Sequence, residues 1–230
     1  MHSDGQSIFK EANGDPLKLE VYDLGVIDYV KCLELQRTYH RKLIDGTQGD
    51  VLLTCSHHPV ITCGTSTEDA HFYTPSSELE ASGTPVVSIE RGGSVTYHGP
   101  EQAVCYPLIN LHNHKTDVGW YMRSLEEVVL STLQEYAITG IRVPGKTGVW
   151  IDENSKIAFS GVRISRWCTL HGFSLNVLPC SHRFSQINPC GLGDITIASI
   201  AELIAPKPVT VAEVTHKLIA NFIRVFNYEV

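Results

Sequence analysis

Arg91-Gly92-Gly93-Ser94-Val95-Thr96-Tyr97-His98-Gly99-Pro100 lies between two apolar runs of β character, Pro85 to Glu90 and Gln102 to Leu111. A hairpin between two such strands needs only one or two turn residues. This stretch has three glycines, a proline, an arginine and a histidine. Glycine lets a backbone come close to a bound group, and Arg, His and free amides are donors. A plain connection, a phosphate loop and a cradle for another ligand all fit the ten residues taken alone.

Working outward, Leu17 to Asp23 alternates and predicts a strand. Ile27 to Leu43 predicts a helix with Tyr29, Val30, Leu33, Gln36 and Tyr39 on one face and a stop at Gly46. Asp50 to Cys55 and Val60 to Cys63 are short apolar strands about a turn at Ser56 to Pro59. Residues 64–84 are loop-like, with a helical turn at Ser76 to Ala81; a loop of this length is often a functional lid. In Gln102 to Leu111, Pro107 predicts an edge or a bend, because proline cannot donate to a ladder. Thr116 to Tyr136 predicts a second helix, with Val118, Tyr121, Met122, Leu125, Val128, Val129, Leu133 and Tyr136 inward. Strands follow at Thr147 to Ile151, Lys156 to Trp167 and Leu170 to Val177, then a loop over 178–193. Thr210 to Tyr228 predicts a closing helix, with Thr210 and Glu213 as a capping box and Val211, Val214, Leu218, Phe222 and Val225 inward. The mixed order of helices and hairpin-like strands predicts an α+β fold, one domain over 17–230 around a mixed, mostly antiparallel sheet flanked by helices. Met1 to Pro16 is polar, with neither a basic n-region nor an apolar h-region, and is expected to be a flexible lead-in.

The 230 residues, 43% hydrophobic and 19% charged, suit a globular protein with a sizeable core. A net charge of −7 argues against a nucleic-acid surface, and no apolar run approaches the roughly 18–20 residues that span a bilayer. The seven cysteines are odd in number and scattered through apolar runs, a pattern of free thiols in a reducing compartment.

Cys190 stands between Pro189 and Gly191, on a tight turn expected to be exposed. It reads either as a nucleophile, if a cation favours its thiolate, or as a small loop filler. Lys156 opens an apolar strand; it is either a solvated turn lysine or an inward one whose lowered pKa suits a proton shuttle. Cys55-Ser56-His57-His58-Pro59-Val60-Ile61-Thr62-Cys63 could offer zinc two thiolates and an imidazole. The spacing is not that of a finger or ribbon and no second pair completes it, so no metal is expected. No Walker loop, dinucleotide fingerprint or Gly-x-Ser-x-Gly elbow is present.

Five blocks in one order carry a resemblance: Arg91-Gly92-Gly93-x-x-Thr96-Tyr97-His98-Gly99-Pro100-x-Gln102; Thr147-Gly148-Val149-Trp150; Lys156-Ile157 with Gly161-Val162-Arg163; His171-Gly172-Phe173-Ser174-Leu175-Asn176-Val177; and Asn188-Pro189-Cys190-Gly191. Together, over roughly residues 17–204, they resemble the lipoyl(octanoyl) transferases. The resemblance implies the biotin/lipoate protein ligase catalytic-domain fold and transfer of an octanoyl chain from octanoyl-acyl carrier protein to lipoyl domains of 2-oxoacid dehydrogenases and the glycine cleavage H protein. It implies Cys190 as acyl-thioester nucleophile and Lys156 as the lysine that lowers its pKa. Arg91, Gly92, Gly93, Ser94, Val95, Thr96, Tyr97, His98, Phe159, Ser160, Gly161, Gly172, Phe173 and Ser174 then line the acyl site. No cofactor, nucleic acid or membrane enters, a monomer is expected, and the place is a bacterial cytoplasm or, alternatively, a mitochondrial matrix. Three positions depart from the family pattern: Glu101 for a glycine, Phe159-Ser160 for a small and an aliphatic residue, and Ile197-Ala198-Ser199 for Thr-Ser-Leu. The competing readings are an ATP-dependent lipoate- or biotin-protein ligase, a thiol acyl hydrolase using water, and a carrier-binding module without catalysis.

Overall fold

The computed structural model describes residues 17–193 and 195–229; the lead-in expected over 1–16 lies outside them. In chain order the elements are β1 (Leu17–Ile27), α1 (Tyr29–Ile44), β2 (Asp50–His57), β3 (Val60–Cys63), α2 (Ser76–Ala81), β4 (Val86–Ser88), β5 (Val95–His98) and β6 (Gln102–Leu108). Then come α3 (Val118–Gln134), β7 (Ile141–Val143), β8 (Lys146–Trp150), β9 (Ser155–Ser165), β10 (Cys168–Asn176), α4 (Ser181–Phe184), β11 (Thr196–Ile197), α5 (Ile200–Ile204), α6 (Val211–Phe226) and β12 (Tyr228–Glu229).

The main sheet has nine strands, in the order β12-β1-β2-β6-β10-β9-β8-β7 with β11 beside β9. β1 runs parallel to β2 and β12, and β11 parallel to β9; the remaining pairs are antiparallel. This is the mixed, mostly antiparallel sheet expected. β2 and β6 are buried along their whole length because both faces are covered. Leu52, Ala103 and Cys105 face a core shared with Tyr121, Leu125, Val128 and Val129 of α3 and Leu218 and Phe222 of α6. Their neighbours Val51, Leu53, Cys55, Val104 and Tyr106 point the other way, onto Cys32 of α1. The two-residue period of a strand thus divides one sequence between two cores.

Caps set the long helices. The Asp28 side chain accepts from Lys31 N (3.0 Å) and Asp117 from Trp120 N (2.9 Å). These caps start α1 at Tyr29 and α3 at Val118, later than the apolar pattern alone predicts. Val30 and Val118, expected inward, lie outside at 46% and 49% exposure, and Cys32 takes a core place instead. Thr210 accepts from Glu213 N (3.2 Å), but the Glu213 carboxylate accepts from the Tyr136 hydroxyl (3.0 Å), so only half of the capping box is seen.

Two expectations are corrected. Pro107 is neither at an edge nor at a bend: it pairs with Leu52 inside the sheet. β10 pairs with β6 only between Gln102 and Cys105, so no ladder donor is needed at Pro107 on that side. Residues 91–100 are not all loop either. Val95–His98 is a strand, antiparallel to β3 in a second sheet of order β4-β3-β5. Four residues between glycines are too short to show a period.

Candidate active site

Three segments read as loops meet beside the main sheet. Thr65 N and Ser66 N donate to the Arg91 and Gly93 carbonyls, fixing residues 64–84 to the glycine-rich stretch. Tyr73 N and Thr74 N donate to Gln186 O, and Asn188 N to His71 O, fixing the same loop to the segment that carries Cys190. The expected lid is therefore pinned at its start and its middle by backbone hydrogen bonds.

Cys190 lies in the tight turn Pro189–Gly191 with φ 60° and ψ 11°. The left-handed region costs a non-glycine residue roughly 1 kcal/mol or more. Asn188 holds the turn closed: its carbonyl accepts from Gly191 N (3.1 Å) and its side-chain oxygen from Gly193 N (2.8 Å). Gly191 is required because a Cβ there meets His71 Nε2 at 2.9 Å. The thiol is half-buried, while the other six cysteines are fully buried.

Lys156 is the inward lysine, 0% exposed. Its Nζ lies 3.6 Å from Cys190 Sγ, 4.7 Å from the centre of the Phe159 ring and 5.0 Å from that of Trp150. Burial lowers its pKa from the ordinary lysine value, while the nearby Cys190 sulfur and Glu126 carboxylate act in the opposite direction. The Thr147-Gly148-Val149-Trp150 block makes room for it. Gly148 has φ +86°, and a Cβ there meets Ala158 O at 2.3 Å and Lys156 Cε at 3.0 Å. Glu126 Oε1 accepts from Gly148 N (3.1 Å), which holds this bend against α3.

A cleft of about 420 Å³, its open mouth included, leads to Cys190. Of the sequence-predicted residues it is lined by Arg91, Thr96, His98, Phe159, Ser160, Gly161, Gly172, Phe173, Ser174 and Cys190. Gly92, Gly93, Ser94, Val95 and Tyr97 do not line it. Gly92 N donates to Val162 O (3.0 Å), which ties the stretch to β9 and takes that amide out of the set of free oxyanion donors. A Cβ on Gly161 would meet Arg91 Cδ at 2.9 Å and Gly92 O at 3.0 Å, so this glycine permits the close approach. The Arg91 guanidinium is buried and donates to Thr62 O (2.8 Å) and Thr62 Oγ1 (3.0 Å), clamping the glycine-rich stretch to β3.

His98 donates through Nδ1 to Gln102 Oε1 (3.1 Å), Gln102 Nε2 to Asn176 Oδ1 (2.8 Å), and Asn176 Nδ2 to Ala198 O (3.0 Å). This relay gives Gln102 and Asn176, both in the motif blocks, a positioning task. Burial holds His98 well below the ordinary imidazole range, so it is neutral at pH 7. Of the departures from the family pattern, Glu101 turns away from the cleft and accepts from the Tyr97 hydroxyl (3.2 Å). Phe159 stacks on Phe184 (5.1 Å between centroids) and closes the cleft beside Lys156. Sequence reasoning missed Tyr29, Val104, Tyr106 and His171, which also line the cleft. Of these, His171 had a signal, its place directly before Gly172. It missed His71 as well, whose Nδ1 accepts from Glu68 N (3.0 Å) and contacts Ser94 Oγ (2.7 Å), which puts the Nε2 proton on the side of the Cys190 turn.

The family model of the lipoyl protein ligase A/B catalytic domain matches residues 28–223. An octanoyltransferase of Chloroflexus aggregans is 44% identical over 91% of this chain and 95% of its own length. One of a Nostoc species is 42% identical over 91% and 92%. Among solved structures, a bi-partite lipoate protein ligase from Thermoplasma acidophilum superposes with a TM-score of 0.72 at 14% identity, covering 93% of this chain and 85% of the other. That likeness bears out the expected lipoate-ligase fold. With a family model across most of its length and relatives above 40% identity, this chain belongs to the lipoyl protein ligase A/B catalytic-domain family, stands among its octanoyltransferases, and is an acyltransferase.

Proposed function

We propose that this chain moves an octanoyl group from octanoyl-acyl carrier protein to a lysine of a lipoyl domain through a thioester on Cys190. The observation that carries the reading is the 3.6 Å contact between Lys156 Nζ and Cys190 Sγ, the sulfur lining a cleft of mixed apolar and polar walls. The Lys156 amine is within reach of the Cys190 thiol proton, and a cysteine attacks as its thiolate. The thiolate attacks the donor's carbonyl carbon, and the C–S bond to the carrier breaks. The departing carrier sulfur takes its proton from Lys156. The target lysine's amine then attacks the Cys190 thioester, the C–S bond to Cys190 breaks, and an amide forms. Lys156, now neutral, accepts the amine's proton, which restores the ammonium–thiolate pair. Thioester exchange is close to isoenergetic and amide formation runs downhill, so ATP has no part in the balance. A serine in place of Cys190 would give a more stable ester and lose that activation.

Buried polar atoms of Arg91, Thr96, His171 and Ser174 in the cleft walls have no hydrogen-bond partner among the described residues. Such atoms suit a ligand that brings a carbonyl and amides, as a carrier's thioester arm does. The oxyanion needs N–H donors; the Gly92, Gly191, Leu192 and Gly193 amides are engaged within the chain, which leaves that task to other amides of the 91–98 stretch. The Thermoplasma ligase is described together with its E2 lipoyl domain, which supports an acceptor of that class here. The test incubates the chain with octanoyl-acyl carrier protein and an unmodified lipoyl domain without ATP. An octanoylated domain is expected. Octanoate released into water with the domain unmodified would make the chain a hydrolase. Modification only from free octanoate with ATP would make it a ligase.

A further inference from the structure

On the far side of β2 from α3, the fold gathers a group that the acyl-transfer chemistry does not use. Cys32 projects from α1, and Cys55 and His57, two residues apart on β2, project toward it. Their sulfur and nitrogen atoms all lie within 4.8 Å of one another, and all three residues are buried. The sequence pairs Cys55 and one of His57 and His58 with Cys63, but Cys63 packs in a different core with Val95 and Tyr97. The third member is instead the helix cysteine at Cys32, 23 positions before Cys55 and outside any short spacing motif.

The geometry points to a binding site for a soft divalent cation of the zinc class, held by Cys32, Cys55 and His57. Three observations carry this. Cys55 Sγ lies 3.4 Å from His57 Nε2, and an edge of a tetrahedron with zinc–sulfur and zinc–nitrogen bonds of about 2.3 and 2.1 Å is about 3.6 Å. His57 Nδ1 donates to Ile27 O (3.0 Å), which fixes the tautomer and leaves the Nε2 lone pair facing the sulfurs, the outer arrangement usual for a metal-binding histidine. Gln36, fully buried one turn after Cys32, has its amide 3.7 Å from Cys32 Sγ and its Oε1 without a partner. A half-turn of that amide puts the oxygen where the nitrogen now stands, at the distance of a fourth ligand. Two thiolates, a neutral imidazole and a dication sum to zero charge, as a buried site requires. The two thiol protons leave to solvent as the metal binds. The hydrogen bond between Tyr106 Oη and His57 Nε2 (2.8 Å) is exchanged for the bond to the metal. The site clips α1 to β2, and because it is buried it fills as the chain folds.

The test expresses the wild type and the variants Cys32→Ser, Cys55→Ser and Cys190→Ala in zinc-supplemented medium and measures zinc per chain after gel filtration under reductant. About one zinc per chain is expected in the wild type and in Cys190→Ala, falling about tenfold or more in Cys32→Ser and Cys55→Ser. Wild type grown with cobalt guards against variants that do not fold. It should show the strong visible bands of a tetrahedral ion and a thiolate-to-cobalt charge-transfer band. Metal-free wild type, metal lost only in Cys190→Ala, a pale six-coordinate cobalt spectrum, or a Cys32–Cys55 disulfide that persists with zinc present would each overturn the proposal.

Discussion

Lys156 is a fully buried ammonium group whose Nζ lies 3.6 Å from the Cys190 sulfur. Its burial costs stability, and the fold accepts that cost where the chemistry needs a lysine of lowered pKa. Lys156→Met keeps the packing against Trp150 and Phe159 but removes the charge. Single-turnover octanoyl transfer should fall about 10²-fold or more. Thermal unfolding at pH 7 should show equal or higher stability, by on the order of 1 kcal/mol. Loss of stability and of activity together would make Lys156 a structural residue. At this scale the sequence was partly legible. Cys190 was marked by the proline and glycine on either side, which physics alone ties to a tight turn. The apolar run after Lys156 hints at an inward stem, but only the fold decides between that and a solvated turn lysine. His71 sits in a polar loop and joins the site because its carbonyl accepts from Asn188 N and its neighbours Tyr73 and Thr74 donate to Gln186 O, contacts that no local pattern encodes.

Among the elements, β10 leaves no room for a side chain at Gly172. At Gly172 a Cβ would meet Cys105 O at 2.0 Å and Pro107 Cδ at 2.8 Å, so β6 and β10 touch there backbone to backbone. Gly172→Ala should destabilise the chain by about 3 kcal/mol or more, read as a lower urea midpoint. Gly49→Ala, where nothing lies within 4 Å and φ is ordinary, should stay within about 0.5 kcal/mol of wild type. Equal effects of the two would contradict this view of β10. The long elements were legible because their periods run over many residues, as in α3 and α6. β5, β7, β11, α4 and α5 were not, since none exceeds five residues. Pro107 misled for a different reason: proline reports a missing donor, and whether that donor matters depends on where the neighbouring strand stops pairing.

For the whole molecule, the buried cleft makes stability depend on acid. His171 lies in β10 with φ 63°; among the described residues neither ring nitrogen has a hydrogen-bond partner, and the Glu90 carboxylate stands 3.9 Å from Nε2. Burial lowers its pKa from 6.5 to about 4; Arg91, Arg37 and Arg163 act in the same direction and Glu90 opposes them. The unfolded chain therefore takes the proton at higher pH than the folded one. This contribution is full above pH 6.5 and is lost as the pH falls toward 4, about 3 kcal/mol in all. His171→Asn, a residue that tolerates positive φ, should flatten the loss of stability across that window in urea unfolding. An unchanged slope would contradict the assignment. At this scale the α+β class and the mixed sheet followed from the order of elements, whereas the small second sheet and the meeting of three loops needed the fold. The claim on which the rest depends is the covalent step at Cys190, and intact mass after mixing the chain with octanoyl-acyl carrier protein tests it most directly. The account predicts one octanoyl adduct on Cys190 that disappears when a lipoyl domain is added; no adduct on the wild type, or an equal one on Cys190→Ala, would contradict it.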